Sequence, residues 1–136
     1  MYKRILVPTD GSEPSINAFT TALELSEAFG CEILLLNVIN TSALNVYGYV
    51  VSNEELKKFA DDAMDKTLSN REIKVPVEKK IVIGHPAYVI IEEIENEDID
   101  LVIMGSRGLG AFTGSILGSV SQRVLQNTTC SVMVVK

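Results

Sequence analysis

The sequence predicts an α/β protein: an open, five-stranded parallel sheet with helices on both faces. Three observations carry that expectation. Short continuous apolar runs recur at residues 4–8, 32–39 and 100–105, the pattern of strands covered on both sides. The segments between them repeat their apolar residues at helical spacing and carry start and stop residues. Strand-like and helix-like segments alternate to the end of the chain, which implies right-handed crossovers and parallel pairing.

The elements follow in order. "RILVP" is the first strand and "EILLLNVI" the second, both read as central. Between them a helix has Ser12 as candidate N-cap, Pro14 in its first turn and Gly30 at its C-terminal cap. Phe19, Ala22, Leu23, Ser26 and Phe29 are placed on one face of it. Residues 40–51, "NTSALNVYGYVV", have no clean period and read as a long loop or flap whose Tyr47 and Tyr49 could cover a ligand. Ser52 and Glu55 have capping-box spacing. Leu56, Phe59, Ala60, Ala63, Met64 and Leu68 then mark a second helix reaching about Asn70.

In "VPVEKKIVIG" the apolar residues alternate and Pro76 removes a ladder donor, which places the third strand at an exposed edge. "GHPAYVIIEEIENEDI" supplies a turn and a third helix, and "DLVIMG" is a buried fourth strand. "SVSQRVLQN" and "SVMVV" follow as a fourth helix and a fifth strand.

Bulk properties bound the function. At 136 residues the chain fits one domain, 1–136, with 46% apolar and 22% charged residues. A net charge of -6 gives no basic footprint for nucleic acid or an anionic membrane. No apolar run approaches the roughly 18 residues of a membrane span, and "MYKRILVPTD" enters a strand pattern at once, so the cytoplasm is the expected compartment. Cys31 and Cys130 lack CxxC spacing and are expected to be buried free thiols.

The informative stretch is "GSRGLGAFTGSILGSVSQ", residues 105–122, with five glycines and five serines or threonines between a strand and a helix. Glycine lets backbone amides approach an anion, and a helix start adds unpaired donors and a positive dipole end, so phosphate is the expected guest. Arg107 is the one basic residue of the stretch, and Ser106, Ser119 and Ser121 bring hydroxyls. Glycine and serine also make plain turns before helices, and that reading stays open. The first strand ends in Pro8, Thr9 and Asp10 on the same edge, where ligands of open α/β sheets bind. No Walker-type G-x-x-x-x-G-K-[ST] occurs, and the glycines follow the fourth strand, not the first as a dinucleotide fingerprint requires.

Gly105, Gly108, Gly118 and Ser119 spell G-x2-G-x9-G-S, which resembles the nucleotide motif of the ATP-binding universal stress proteins. "ILVPTDGSEPS", the G-x-P turn at Gly84 and Pro86, "DLVIMGSRG" and "LGSVSQRVL" extend the resemblance over the whole chain. One departure is Ser131 after Cys130, where relatives often have proline. The resemblance implies a Rossmann-like sheet of order 3-2-1-4-5, similar to the adenine nucleotide alpha hydrolases, and ATP held with Mg or Mn. By that likeness Pro8, Thr9, Asp10 and Val38 contact the nucleoside, the Val38 backbone reading adenine. Met104 and Gly105 lie against the ribose. Ser106, Arg107, Gly108, Gly118, Ser119, Val120 and Ser121 hold the phosphates. It also implies a homodimer through the edge of the last strand, Ser131 to Val135.

Other residues carry less chemistry. Asp10 reads as a magnesium or nucleoside contact, or as a plain helix-start carboxylate. His85, the only histidine, reads as a solvent-facing turn residue. Glu92, Glu93, Glu95, Glu97 and Asp98 read as a solvated helix face. With no G-x-S-x-G elbow and no metal-ligand cluster, catalysis is not expected beyond slow ATP hydrolysis. The leading expectation is therefore a nucleotide-dependent regulatory module in the stress response. A slow ATPase or adenylyl-transferring enzyme, and a nucleotide-independent chaperone-like protein, are the alternatives.

Overall fold

The computed structural model describes residues 2–40, 52–107 and 117–136. The predicted flap with Tyr47 and Tyr49, and Gly108 of the glycine stretch, lie outside the described residues. The elements are β1 (Arg4–Pro8), α1 (Glu13–Phe29), β2 (Glu32–Ile39), α2 (Asn53–Leu68), β3 (Val77–Ile83), α3 (Pro86–Asn96), β4 (Leu101–Gly105), α4 (Ser119–Asn127) and β5 (Ser131–Val135). The strands form one parallel sheet in the order β3-β2-β1-β4-β5.

Strand alternation splits the core into two layers. Ile5, Val7, Ile33, Leu35, Leu101 and Ile103 face α1 and α2 through Ala18, Phe19, Ala22 and Met64. Leu6, Leu34, Leu36, Val102 and Met104 face α3 and α4 through Ala87, Ile90, Ile94 and Val124. This explains the unbroken apolar runs of the central strands, whose side chains are buried on both faces. Each such Leu or Ile contributes about 1.5–3 kcal/mol by burial. β3 lies at the edge as expected, but the apolar alternation of its sequence does not mark a buried face: Ile81 and Ile83 are open to solvent, while Lys80 and Val82 between them are half-buried.

Helix boundaries follow local chemistry. Gly30 caps α1 in the left-handed region, φ 72°, and its N–H donates to Ser26 O. Ser52 and Glu55 form a reciprocal capping box at α2. Ser12 occupies the N-cap of α1, yet its side chain makes no capping bond. The Asp10 carboxylate instead accepts the Ser12 N–H at 2.9 Å.

Several expectations are corrected. Phe29 is 67% exposed, because it sits on the last turn of α1 after the buried stripe has ended at Ser26. Phe59 is 65% exposed: the buried stripe of α2 runs Leu56, Ala60, Ala63, Met64, Thr67, and Phe59 lies on its flank. That helix ends at Leu68, with Ser69 as cap and Asn70 turning to φ 58°. Cys31 is buried, whereas Cys130 is only half-buried; both are free thiols. Burial, with Asp100 nearby, pushes both thiols up.

Glu93 is the clearest correction. It is buried, and its carboxylate takes Lys80 Nζ at 2.9 Å, while Glu97 takes the same ammonium at 3.2 Å. Glu97 also meets Arg4 at 3.2 Å, and Arg4 reaches Glu32 and Glu78. Part of the predicted solvated face is thus an ion-pair network tying α3 to β1 and β3. The helical wheel could not show this, since the partners arrive from strands distant in sequence.

Candidate functional site

The strand order reverses between β1 and β4, so the loops leaving their carboxyl ends part to opposite faces and open a crevice there. The β1–α1 loop brings Thr9 and Asp10 to it. The β4–α4 connection brings Ser106 and Arg107, and returns at Gly118.

Backbone directions define one wall. Glu32 N–H donates to Lys3 O, and Leu36 O accepts from Thr9 N–H, so the even-numbered residues of β2 face β1. Ile33 N–H donates to Pro76 O and Ile39 O accepts from Gly84 N–H, so the odd-numbered ones face β3. Pairing with β1 ends at Pro8↔Leu36. The next main-chain groups on that side, the N–H and C=O of Val38, therefore point past the end of β1 into the crevice. One donor and one acceptor side by side is what the edge of a planar heterocycle can read.

The opposite wall starts at α4. Gly118 N–H donates to Ser106 O at 2.6 Å and Ser121 Oγ–H to Gly105 O at 2.9 Å, which pin the two ends of the glycine stretch together. Gly118 is the N-cap of α4 and has no side chain to satisfy the first-turn amides of Ser119, Val120 and Ser121. These are the donors that a helix start leaves for an anion. Ser119 is exposed, Val120 half-buried and Ser121 buried.

The glycines at the two ends have different reasons. A Cβ on Gly105 would lie 2.8 Å from Pro14 Cβ and 2.9 Å from Ser15 N, so its bareness is required by α1. A Cβ on Gly118 would meet nothing nearer than 3.4 Å among the described residues, an ordinary contact. Packing among the described residues therefore does not explain Gly118.

The hydroxyls are placed less simply than the sequence suggested. Thr9 is buried, its Oγ1 lying 2.7 Å from Thr67 Oγ1 and 3.0 Å from Ser15 Oγ. Ser121 Oγ–H is engaged in the hydrogen bond to Gly105 O. Neither hydroxyl is left to donate to a ligand, and both residues shape the crevice through their backbone. Met104 and Ser106 are buried, Gly105 and Asp10 half-buried, and Arg107 exposed at the rim. His85 is exposed at the start of α3, its ring 5.1 Å from that of Tyr88, and stands apart from these contacts. A depression of about 260 Å³ lined by Arg4, Glu32, Pro76 and Glu78 lies at the other, amino edge of the sheet, within the ion-pair network.

Sequence reading missed Asn37, Ser15 and Thr67. Asn37 is buried in β2 and its amide donates to Thr9 O at 2.8 Å, fixing where β1 ends. Its signal was a single polar residue inside "EILLLNVI"; Thr67 had none, because a threonine on a helix reads as surface.

The universal stress protein family model matches residues 1–136, the whole chain. The chain belongs to the universal stress protein family. Universal stress protein MJ0531 of Methanocaldococcus jannaschii is 33% identical over 141 residues, covering 100% of this chain and 83% of the relative. Among solved structures, the universal stress protein UspA from Lactobacillus plantarum superposes with a TM-score of 0.83 at 25% identity, covering 99% and 98% of the two chains. A universal stress protein family protein from Arabidopsis thaliana with AMP bound gives 0.68 at 25% identity, covering 98% and 91%. The universal stress fold thus accounts for the strand order and for the crevice at its switch point. Among the described residues of this universal stress protein, no helix is long and apolar enough to cross a membrane.

Proposed function

We propose that this universal stress protein binds ATP, with Mg or Mn, in the crevice between β1 and β4 and acts as a nucleotide-dependent regulatory module rather than as an enzyme. The observation that carries this reading is the start of α4. Its first-turn amides have a glycine cap with no side-chain acceptor, and the described fold gives no steric reason for that glycine. A phosphate chain supplies the missing acceptor.

The rest of the crevice fits a nucleotide. The Val38 main chain offers the donor and acceptor for adenine, and Met104 and Gly105 lie between that wall and the phosphate end. Arg107 and the amides of Ser119, Val120 and Ser121 suit the phosphates, joined in this reading by Gly108. Asp10 is the carboxylate best placed to meet the ribose or a hydrated divalent ion, and Pro8 and Thr9 set its backbone. The relative with AMP bound, at 25% identity, supports an adenine nucleotide as the class of ligand. In this reading the protein works in the cytoplasm as a homodimer joined through β5.

Titration calorimetry with ATP and magnesium tests the proposal: one site per chain is expected, weakened by Asp10→Ala and by Arg107→Ala. Absence of any binding heat, together with no ATP-dependent change in melting temperature, removes it.

A further inference from the structure

We propose that Thr67 is a positioning residue for the crevice: its hydroxyl, acting through Thr9, fixes the β1–α1 loop that carries Asp10. This rests on the nucleotide reading above, and its test separates the two.

Four hydroxyls, those of Thr9, Ser12, Ser15 and Thr67, are buried together beneath the loop. Each has one proton to give. Ser12 Oγ–H donates to Ser15 Oγ at 3.3 Å and Ser15 Oγ–H to Ser12 O at 2.8 Å. Thr67 Oγ1–H donates to its own helix at Ala63 O, 2.8 Å away. The Thr9 proton then goes to Thr67 Oγ1, at 2.7 Å the nearer of its two hydroxyl neighbours. Thr9 Oγ1 in turn accepts the N–H of Gly11 at 3.2 Å. A directed chain of hydrogen bonds thus runs from a loop amide, through Thr9 and Thr67, to the backbone of α2. Asp10 is the residue enclosed between Thr9 and Gly11.

A second contact presses on the same turn of α2. Gly11 has φ 81°, and a Cβ built on it would lie 3.2 Å from Ala63 Cα, so the loop backbone rests directly on the helix. Ala63 and Thr67, four residues apart, share one helical face. The seat of α2 and the course of the Asp10 loop are therefore set by the same two residues. Replacing Thr67 by valine keeps the shape but removes the nearer acceptor of the buried Thr9 hydroxyl, the one that joins it to α2. The Thr9 proton can then turn only to Ser15 Oγ, within the β1–α1 segment itself, so the loop that holds the Gly11 amide loses its hydrogen-bonded tie to α2.

The test uses the full chain with two readouts: calorimetric affinity for magnesium ATP, and the exchange rate of the Gly11 amide in ligand-free protein. Thr67→Val is expected to weaken binding about tenfold and to speed exchange by a similar factor, on the order of one lost buried hydrogen bond. Thr67→Ser, which keeps the hydroxyl, restores both. Ser26→Ala removes another buried hydroxyl, at the far end of α1, and is expected to lower the melting temperature while leaving both readouts at wild-type values. Thr67→Ala replaces the valine variant should that one not fold. Wild-type affinity and exchange in the Thr67 variant, failure of serine to rescue, or equal effects from Ser26→Ala each overturn the proposal. If the wild type binds no ATP, the nucleotide reading fails, and the Gly11 exchange rates alone decide the positioning role.

Discussion

Gly105 at the end of β4 lies against Pro14 at the start of α1 so closely that an added Cβ would come within 2.8 Å of the proline Cβ and of its carbonyl carbon. A glycine that sequence alone assigns to ligand approach is thus required by helix packing. The contacts are backbone atoms and the ring-locked Cβ of a proline, so no side-chain rotation relieves them. Gly105→Ala is expected to destabilise the fold by about 1–3 kcal/mol, the usual cost of overpacking. Urea denaturation checks this, and a change under about 0.5 kcal/mol would contradict it.

Gly118→Ala should behave in the opposite way. Among the described residues the methyl group meets only ordinary contacts, and the modest loss at an N-cap is offset by the stiffer unfolded chain, so stability is expected to stay within about 1 kcal/mol of wild type. Affinity for magnesium ATP is expected to fall at least about tenfold, since the methyl group would occupy the approach to the helix amides. Unchanged affinity would show that this glycine does not face the ligand.

Lys80 and Glu93 predict a pH dependence. The hydrogen bond that Lys80 Nζ donates to Glu93, opposed by burial and reinforced by the one to Glu97, holds the Lys80 pKa above its usual range. A raised pKa in the folded state means the stabilisation is fully present below the unfolded lysine value of about 10.4 and is lost as pH rises through the folded one. Wild-type stability is therefore expected to fall more steeply above about pH 10 than that of Lys80→Met. Denaturation curves between neutral pH and the alkaline limit, run on both proteins, give the comparison; parallel curves would discount the pair.

The β5 edge predicts self-association. Val135 O accepts from Ser106 N–H, so Ser131, Met133 and Val135 turn their main chain to β4, while Val132 and Val134 turn theirs outward. Among the described residues no strand pairs with this row, and such an edge invites a second strand. Light scattering at micromolar concentration is expected to find a dimer for the wild type and a monomer for Val134→Pro, which removes one outward N–H without touching the β4 ladder. A wild-type monomer would count against the edge.

Bound ATP is expected to remain intact. Thr9 and Ser121 have their protons committed within the fold, and the carboxylate that Asp10 brings to the crevice already accepts the Ser12 N–H at 2.9 Å. Chromatography of nucleotide after prolonged incubation with stoichiometric protein checks this; steady phosphate release that vanishes in Asp10→Ala would establish the slow ATPase instead.

The sequence by itself determined the alternation of elements, the central and edge character of β1, β2, β3 and β4, the Gly30 cap, the Ser52–Glu55 capping box and the family. These depend on periodicity and on neighbours within about four residues, which a linear text preserves. Only the tertiary structure decided that Glu93 is buried against Lys80, that Gly105 serves α1, that the Val38 main chain opens beyond β1, and that Thr67 reaches Thr9 across 58 positions. Each of these is a meeting of segments far apart in the chain. A side chain's polarity tells which environment suits it, but whether a partner is there to satisfy it depends on how the sheet and helices pack.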